Sequence, residues 1–180
     1  MARHTAFDIL YQEYYVRIFG LCRKLLNSSD RAEDAAQETF MRAYNNFGKF
    51  DSSQPFWAWI AAIANNHCID QLRKSNRRKE LFGDETQELN ELTDVTSSQE
   101  PDFMLSSLIR DEDADSLNEA ISALPDKYRI PIVLAYFNQL SYDAIAHQLE
   151  ITKSHVGVLL IRGKKLIRTS LAEAREPNRS

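Results

Sequence analysis

The sequence predicts an all-α protein in which two small helical domains are joined by a flexible acidic linker. On both sides of the middle of the chain, apolar residues recur at three- and four-residue steps, the spacing of one helix face. Charge divides the chain the same way, with 12 Lys and Arg against 8 Asp and Glu in residues 1–79, 1 against 13 in 80–119, and 9 against 5 in 120–180. The acidic middle is poor in apolar residues and cannot build a core. We predict domains over residues 1–80 and 115–175 and a linker over residues 81–114, which either keeps the chain soluble or mimics a polyanion.

The first helix is predicted from one continuous apolar stripe. Its members are Phe7, Leu10, Tyr11, Tyr14, Ile18, Leu21 and Leu25. The polar run from Asn27 to Asp30 ends the pattern, and Asp30 is placed to cap the next helix with Glu33 reaching back toward it.

The second helix carries two different faces. Ala36, Phe40, Ala43 and Phe47 line one of them. The other is lined by Asp34, Gln37, Glu38 and Met41. Most such faces are simply solvated, but this one also suits docking of a basic partner helix.

The third helix follows a loop that runs from Asn46 to Gln54 and ends at Pro55, a favourable helix start. Its predicted core stripe is Phe56, Trp59, Ile60 and Ile63. Trp57 lies off this stripe, beside Ala61, Ala64 and Cys68, which favours a ring exposed for stacking or for partner contact. A basic cluster at Arg73, Lys74, Arg77, Arg78 and Lys79 closes the segment. Aromatic rings beside cations suit single-stranded nucleic acid, because rings stack on bases and cations follow phosphates.

The second domain is predicted to contain a helix-turn-helix. One helix ends near Leu124, and Pro125-Asp126 starts another that reaches Phe137. Ser141 caps a short helix, Glu150-Ile151 supply the turn, and a second helix begins near Lys153. In this motif the second helix enters the major groove of DNA, where Lys164, Lys165 and Arg168 would contact phosphates.

Several classes of protein are disfavoured. No apolar run is long enough to span a bilayer and no secretory signal is present, so we expect a cytoplasmic protein. Cys22 and Cys68 are too few for a disulfide scaffold and lack zinc-site spacing, so we expect free thiols, no metal and no cofactor. Neither a catalytic triad nor a glycine-rich phosphate loop is visible, which argues against an enzyme.

Three segments, in this order, resemble the extracytoplasmic-function group of sigma-70-type bacterial transcription initiation factors. They are DRAEDAAQETFMRAY, FWAWI followed by NN and IDQLRK, and ALPDKYRIPIVLAYFNQLSYDAIAHQLEI. The resemblance implies a sigma-2-like domain that binds core RNA polymerase and opens the −10 promoter element, and a sigma-4-like domain that reads the −35 element. It also implies an anti-sigma factor as a third partner.

The resemblance assigns residues to each interface. Polymerase binding falls to Asp34, Gln37, Glu38 and Met41. Binding and melting of −10 DNA fall to Asn46, Lys49, Phe50, Asp51, Trp57, Asn65, Asn66, Arg73, Lys74 and Arg77. Binding of −35 DNA falls to Lys153, Ser154, His155, Gly157, Val158, Arg162 and Lys165. Asp70 is expected on the buried side of its helix, paired with a cation.

The chain departs from the family at two places. Trp57 replaces a frequent Arg, and the recognition helix carries Gly157, Val158 and Leu159 where the family commonly has Lys or Arg, then Ser or Thr, then Arg. On a helical wheel Val158 and Ile161 point outward, which predicts apolar contact with thymine methyls and an A/T-leaning −35 element. The departures leave open an alternative, a sigma-like decoy that binds an anti-sigma factor without binding promoter DNA.

Overall fold

A computed structural model describes residues 2–75, 82 and 114–175 of the chain. The described residues form helices and turns and contain no strand, which confirms the all-α prediction. The chain divides into two compact units, Met1–Arg77 and Arg78–Ser180. Almost all of the predicted linker over residues 81–114 lies outside the described residues, so the proposed domain boundaries stay a prediction.

Unit 1 is a bundle of three helices, each of which contacts the other two. They are α1 (Ala2–Leu26), α2 (Ser29–Asn46) and α3 (Phe56–Ser75), and a 3₁₀ turn, Phe47–Lys49, follows α2. The inner face of α2 is made of small side chains around one large ring: Ala32, Ala35, Ala36, Thr39, Phe40 and Ala43 are all buried. Small residues let helix backbones approach closely, and Phe40 fills the remaining space against rings of α1.

The N-cap of α2 differs from the predicted one. Asn27 adopts a left-handed conformation with φ of 52°, which ends α1. Ser28 is the N-cap of α2, and its hydroxyl accepts a hydrogen bond from the amide of Arg31 at 3.4 Å. Asp30 instead lies in the first turn, where its charge favours the positive end of the helix dipole.

The inward face of α3 also differs from the prediction. Trp57, Ala61, Ala64 and Cys68 do share one face, but that face is the one that packs inward. Since α3 contacts both α1 and α2, its buried arc is wide and centred on this line. Of the four predicted core residues, Phe56 and Ile60 are buried as predicted, whereas Trp59 and Ile63 are half-buried. Trp57 lies at the first turn and is half-buried as well. Asp70 is exposed, so its predicted burial is wrong.

Unit 2 contains four helices, α4 (Ala114–Ser122), α5 (Asp126–Ile132), α6 (Tyr142–Leu149) and α7 (Lys153–Arg175), in the part of it that is described. After Pro131, whose nitrogen has no hydrogen to donate, α5 widens into a π-helical turn, Val133–Phe137. Arg129 is buried, and its guanidinium donates to the Leu124 carbonyl at 2.9 Å and to Asp126 at 2.6 Å. These bonds tie the start of α5 to the chain that precedes it.

The predicted helix-turn-helix is present as α6 and α7. The Ser141 hydroxyl accepts from the amide of Ala144 at 3.2 Å, as predicted for a cap. Glu150 ends α6 in a left-handed conformation with φ of 58°. The hydroxyl of Thr152 then accepts from the amide of His155 at 3.2 Å and caps the start of α7.

Candidate nucleic-acid and protein interfaces

The outer face of α2 presents the four side chains that the sequence assigned to polymerase. Asp34, Gln37 and Met41 are exposed, Met41 with 62% of its surface accessible. Glu38 is half-buried and pairs with Arg42, one turn further along, at 2.6 Å. This hydrogen bond from Arg42 lowers the pKa of the Glu38 carboxyl, which keeps it ionised. The face therefore combines negative charge with one exposed apolar side chain.

His67 of α3 extends this face and was not identified from the sequence. Its Nε2 lies 2.8 Å from Nε2 of Gln71, one turn along α3. Burial lowers the pKa of His67 and the charge of Arg42 lowers it further, while Glu38 opposes the shift. The ring is therefore neutral at physiological pH. Only the packing of α3 against α2 brings it here, so no local sequence pattern could have found it.

The loop after α2 has an ordered internal structure. The amide of Phe50 donates to the Phe47 carbonyl at 3.2 Å, and the two rings stack with centroids 6.1 Å apart. Phe50 also packs on Trp59 of α3, with ring centroids 5.0 Å apart. The Asp51 carboxylate accepts from the amide of Ser53 at 2.9 Å, which lowers the pKa of Asp51. Phe50 thus anchors the loop.

The loop leaves several assigned side chains at the surface. Asn46, Lys49 and Asp51 are exposed, and the Asn46 side-chain amide donates to the Arg42 carbonyl at 2.9 Å. The loop therefore presents exposed polar groups on a backbone that is held by stacked rings.

The α3 residues assigned to −10 DNA fall into three groups. Asn66 and Lys74 are exposed, and Trp57 and Arg73 are half-buried. Asn65, in contrast, has only 2% of its surface accessible, so it faces the bundle and not DNA in this structure. Arg77 lies outside the described residues, as do Arg78 and Lys79.

Trp57 is covered by a residue that the sequence did not single out. The guanidinium carbon of Arg17, from α1, lies 4.1 Å from the centre of the Trp57 ring and 5.6 Å from that of Tyr14. The Tyr14 and Trp57 rings are nearly parallel, at 21°, with centroids 6.4 Å apart. The contact joins residues 40 positions apart in the sequence, beyond the reach of any helical spacing rule.

The residues assigned to −35 DNA divide between surface and interior. Lys153, Ser154 and Lys165 are exposed and Arg162 is half-buried. Lys153 pairs with Asp143 of α6 at 2.8 Å, an ion pair across the helix-turn-helix.

His155, Gly157 and Val158 are buried, with 8% of His155 and 4% of Val158 accessible. The outward position predicted for Val158 is therefore wrong, and Ile161 is half-buried. Three helices, α4, α5 and α6, pack against α7, so its first turns are covered on more sides than a two-faced wheel assumes.

The two cysteines face each other inside unit 1. Both thiols are buried, and the hydrogen bond that the Cys68 thiol donates to the Cys22 sulfur, together with burial, raises the pKa of Cys68. Among the described residues no group of three or more His, Cys, Asp or Glu side chains could hold a metal ion. No helix in the described ranges is long and apolar enough to cross a membrane.

Comparison with known proteins gives matches along most of the chain. Residues 10–78 match the family Sigma-70 region 2, and residues 114–167 match Sigma-70, region 4. The ECF RNA polymerase sigma factor SigW of Bacillus subtilis is 33% identical over 170 residues, which cover 93% of this chain and 90% of that protein. RNA polymerase sigma-H factor of Pseudomonas aeruginosa is 30% identical over 177 residues, which cover 92% and 86%.

A solved structure shares the fold. It is the sigma factor RpoE in complex with the anti-sigma factor NepR from Bartonella quintana, with a TM-score of 0.58 and 20% identity, covering 93% of this chain and 97% of that one. Two family matches in the expected order, together with full-length relatives, agree with the exposed α2 face and the helix-turn-helix. The chain belongs to the extracytoplasmic-function group of sigma-70-type RNA polymerase sigma factors.

Proposed function

We propose that the two units of this alternative sigma factor have different roles in transcription initiation. Unit 1 docks on core RNA polymerase and opens the −10 element, and the helix-turn-helix of unit 2 reads the −35 element. The chain itself catalyses nothing, because polymerase performs the RNA chemistry, and it acts in the cytoplasm without a metal or cofactor. The observation that carries this proposal is the exposed α2 face with its ionised Glu38 and accessible Met41.

The α2 face calls for a partner of particular chemistry. Asp34 and Glu38 attract Lys or Arg, while Met41 needs an apolar contact that removes it from water. In the free chain Arg42 neutralises Glu38 at 2.6 Å. An exposed ion pair of this kind contributes little to stability, so a cationic helix of polymerase can replace Arg42 at little cost.

Promoter opening is assigned to the loop and to the neighbouring face of α3. Extruding a base from the duplex costs a few kcal/mol, and a pocket that is already formed loses no further energy to ordering. The stacked pair of Phe47 and Phe50 supports such a pocket, with Lys49 and Asp51 at its surface. The separated DNA strand then lies along α3, where it contacts Asn66, Arg73 and Lys74.

Reading of the −35 element is assigned to the polar residues that α7 leaves accessible, Lys153, Ser154, Arg162 and Lys165. Lys153 and Lys165 contact phosphates in any sequence, so base readout falls mainly to Arg162 and Ser154. Val158 is buried, so its side chain is not available for contact with thymine methyls.

An anti-sigma partner is part of the proposal. The structural neighbour from Bartonella quintana is a sigma factor held by an anti-sigma factor, and this chain has the same fold. The decoy remains as a second candidate, favoured by the burial of residues 155–160 at the start of the recognition helix. A decoy would bind an anti-sigma factor and never open a promoter.

The test reconstitutes the purified chain with core polymerase of the host bacterium and maps transcripts and open complexes on its genomic DNA. Promoter-dependent open complexes support the sigma assignment, whereas anti-sigma binding without any transcription supports the decoy. Glu38→Lys should weaken polymerase binding more than melting, and Trp57→Ala should do the reverse. Asp8→Lys, which makes the same charge change at an exposed position of α1, is the control for Glu38→Lys. Equal loss of both steps in each variant would refute the division of labour.

A further inference from the structure

A row of aromatic rings runs through unit 1 from the loop to Trp57. Phe50 packs on Phe56 at 5.5 Å between ring centroids, Phe56 on Tyr14 at 5.2 Å, and Tyr14 on Trp57 at 6.4 Å. Arg17 lies at the far end, 4.1 Å above the Trp57 ring. The row thus connects the loop assigned to the flipped base with a cation on α1.

A base can replace the guanidinium of Arg17 on the ring of Trp57. Arg17 is exposed, and its long side chain can leave the ring by bond rotations alone. Trp57 is half-buried and held in place by Tyr14, so its ring stays where it is when the guanidinium leaves. A base stacks on an aromatic ring at least as strongly as an exposed cation does.

Charge favours the exchange as well. A displaced guanidinium that remains beside the stacked nucleotide is within reach of its phosphate, and pairing with phosphate is among the strongest contacts that Arg makes. The cation of this site is supplied by α1 and the aromatic ring by α3.

We propose that Tyr14, Arg17 and Trp57 form a second nucleotide site for the opened −10 strand. In the free chain Arg17 covers the ring of Trp57. In the open complex a base of the single strand takes that place, and Arg17 pairs with a phosphate of the same strand. This inference rests on the proposed function of unit 1.

The experiment measures binding of reconstituted holoenzyme to a fluorescent bubble duplex whose single-stranded non-template segment has mixed sequence. Affinity is measured from about 50 to about 200 mM salt for the wild type, Arg17→Ala, Arg17→Lys and Trp57→Ala. Arg23→Ala, an exposed Arg on another face of α1, is the control. Loss of one phosphate contact on a single strand lowers the slope of log K against log salt by about 0.7.

We expect Arg17→Ala to lower affinity about tenfold at low salt and to lower the slope by about 0.7, with binding to core polymerase unchanged. Arg17→Lys keeps the slope because it keeps the charge. Trp57→Ala loses affinity and keeps the slope, because stacking releases no counterions. Arg23→Ala matches the wild type.

Two results overturn the proposal. The first is an Arg17→Ala holoenzyme with wild-type affinity and slope, which leaves the proposed function intact. The second is a loss of thermal stability in Arg17→Ala with an unchanged slope of log K against log salt. That result would mean that Arg17 only stabilises the packing of α1 against α3. A wild-type holoenzyme that binds the bubble no better than core polymerase alone contradicts the proposed function itself.

Discussion

Two glycines of α7 allow a matched pair of substitutions with opposite expected outcomes. Gly157 and Gly163 lie in the same helix, neither has a positive φ, and replacement by Ala should increase helix propensity equally at both. Gly within a helix costs about 0.5–1 kcal/mol relative to Ala, because its backbone loses more freedom on folding. The two positions differ in the space that is available to a Cβ atom.

At Gly157 an added Cβ meets no atom within 4 Å, so Gly157→Ala should stabilise unit 2 by about 0.5–1 kcal/mol. At Gly163 the Cβ would lie 3.1 Å from Cγ1 of Ile132 and 3.4 Å from Cβ of Tyr128. Ile132 is fully buried and has little room to move, and overpacking of this kind costs about 1–3 kcal/mol. The net effect of Gly163→Ala is therefore expected to be destabilising by up to about 2 kcal/mol.

Hydrogen exchange of amides in α5 and α7 of the full chain measures these effects within unit 2, supported by thermal unfolding. A change of about 1 kcal/mol shifts the melting temperature of a unit this size by about 4–8 °C. Equal stabilisation by both substitutions would refute the argument from packing. If Gly157→Ala stabilises the chain but weakens −35 binding, then DNA approaches the α7 backbone at that residue.

Three further outcomes are expected. Arg129→Met removes one buried and one partly buried hydrogen bond and should destabilise unit 2 by about 1–3 kcal/mol; an unchanged melting temperature would show that these bonds do not stabilise the start of α5. Ser141→Ala removes the α6 cap and should cost about 1 kcal/mol, whereas Ser141→Asp should retain it; equal losses in both variants would count against the cap. His67 has a pKa below its ordinary value of 6.5, so the unfolded chain takes up the proton first and unit 1 loses stability as pH falls below about 6.5. His67→Gln should flatten that slope in unfolding experiments between about pH 7.5 and 5.5, and an unaltered slope would assign it to another group.

Local chemistry predicted the ends of the elements well. Pro125 and Ser141 start helices where the sequence placed them, and Glu150 ends α6 as the predicted turn requires. At the start of α2 the sequence predicted Asp30 as the cap, but the cap is Ser28, two residues earlier. Side-chain type alone does not separate such neighbours, because both can accept the same amide hydrogen bonds.

Orientation was harder to predict than location. In α3 the wheel correctly grouped Trp57 with Ala61 and Ala64, but large rings rotated the predicted inward face away from this line, so only Phe56 and Ile60 of that face are buried. The small residues were the better signal, since close helix packing needs them. In α7, Val158 was predicted to point outward because a helical wheel separates one buried face from one exposed face. Three helices pack against α7, and Val158 is buried among them. Contacts such as that between Arg17 and Trp57 depend on tertiary packing, and no local sequence pattern reveals them.

The three proposed interfaces share one physical feature, since each has a charged group that already has a partner within its own unit. Glu38 pairs with Arg42, Lys153 with Asp143, and Arg17 lies on Trp57. All three contacts are at least partly exposed, so each is weak and can be exchanged for a partner group at small cost. Before binding, such pairs also reduce attraction for unrelated polyions, because the charges are already neutralised or covered. Affinity then has to come from several exchanges made together, which only the assembled polymerase and promoter can offer.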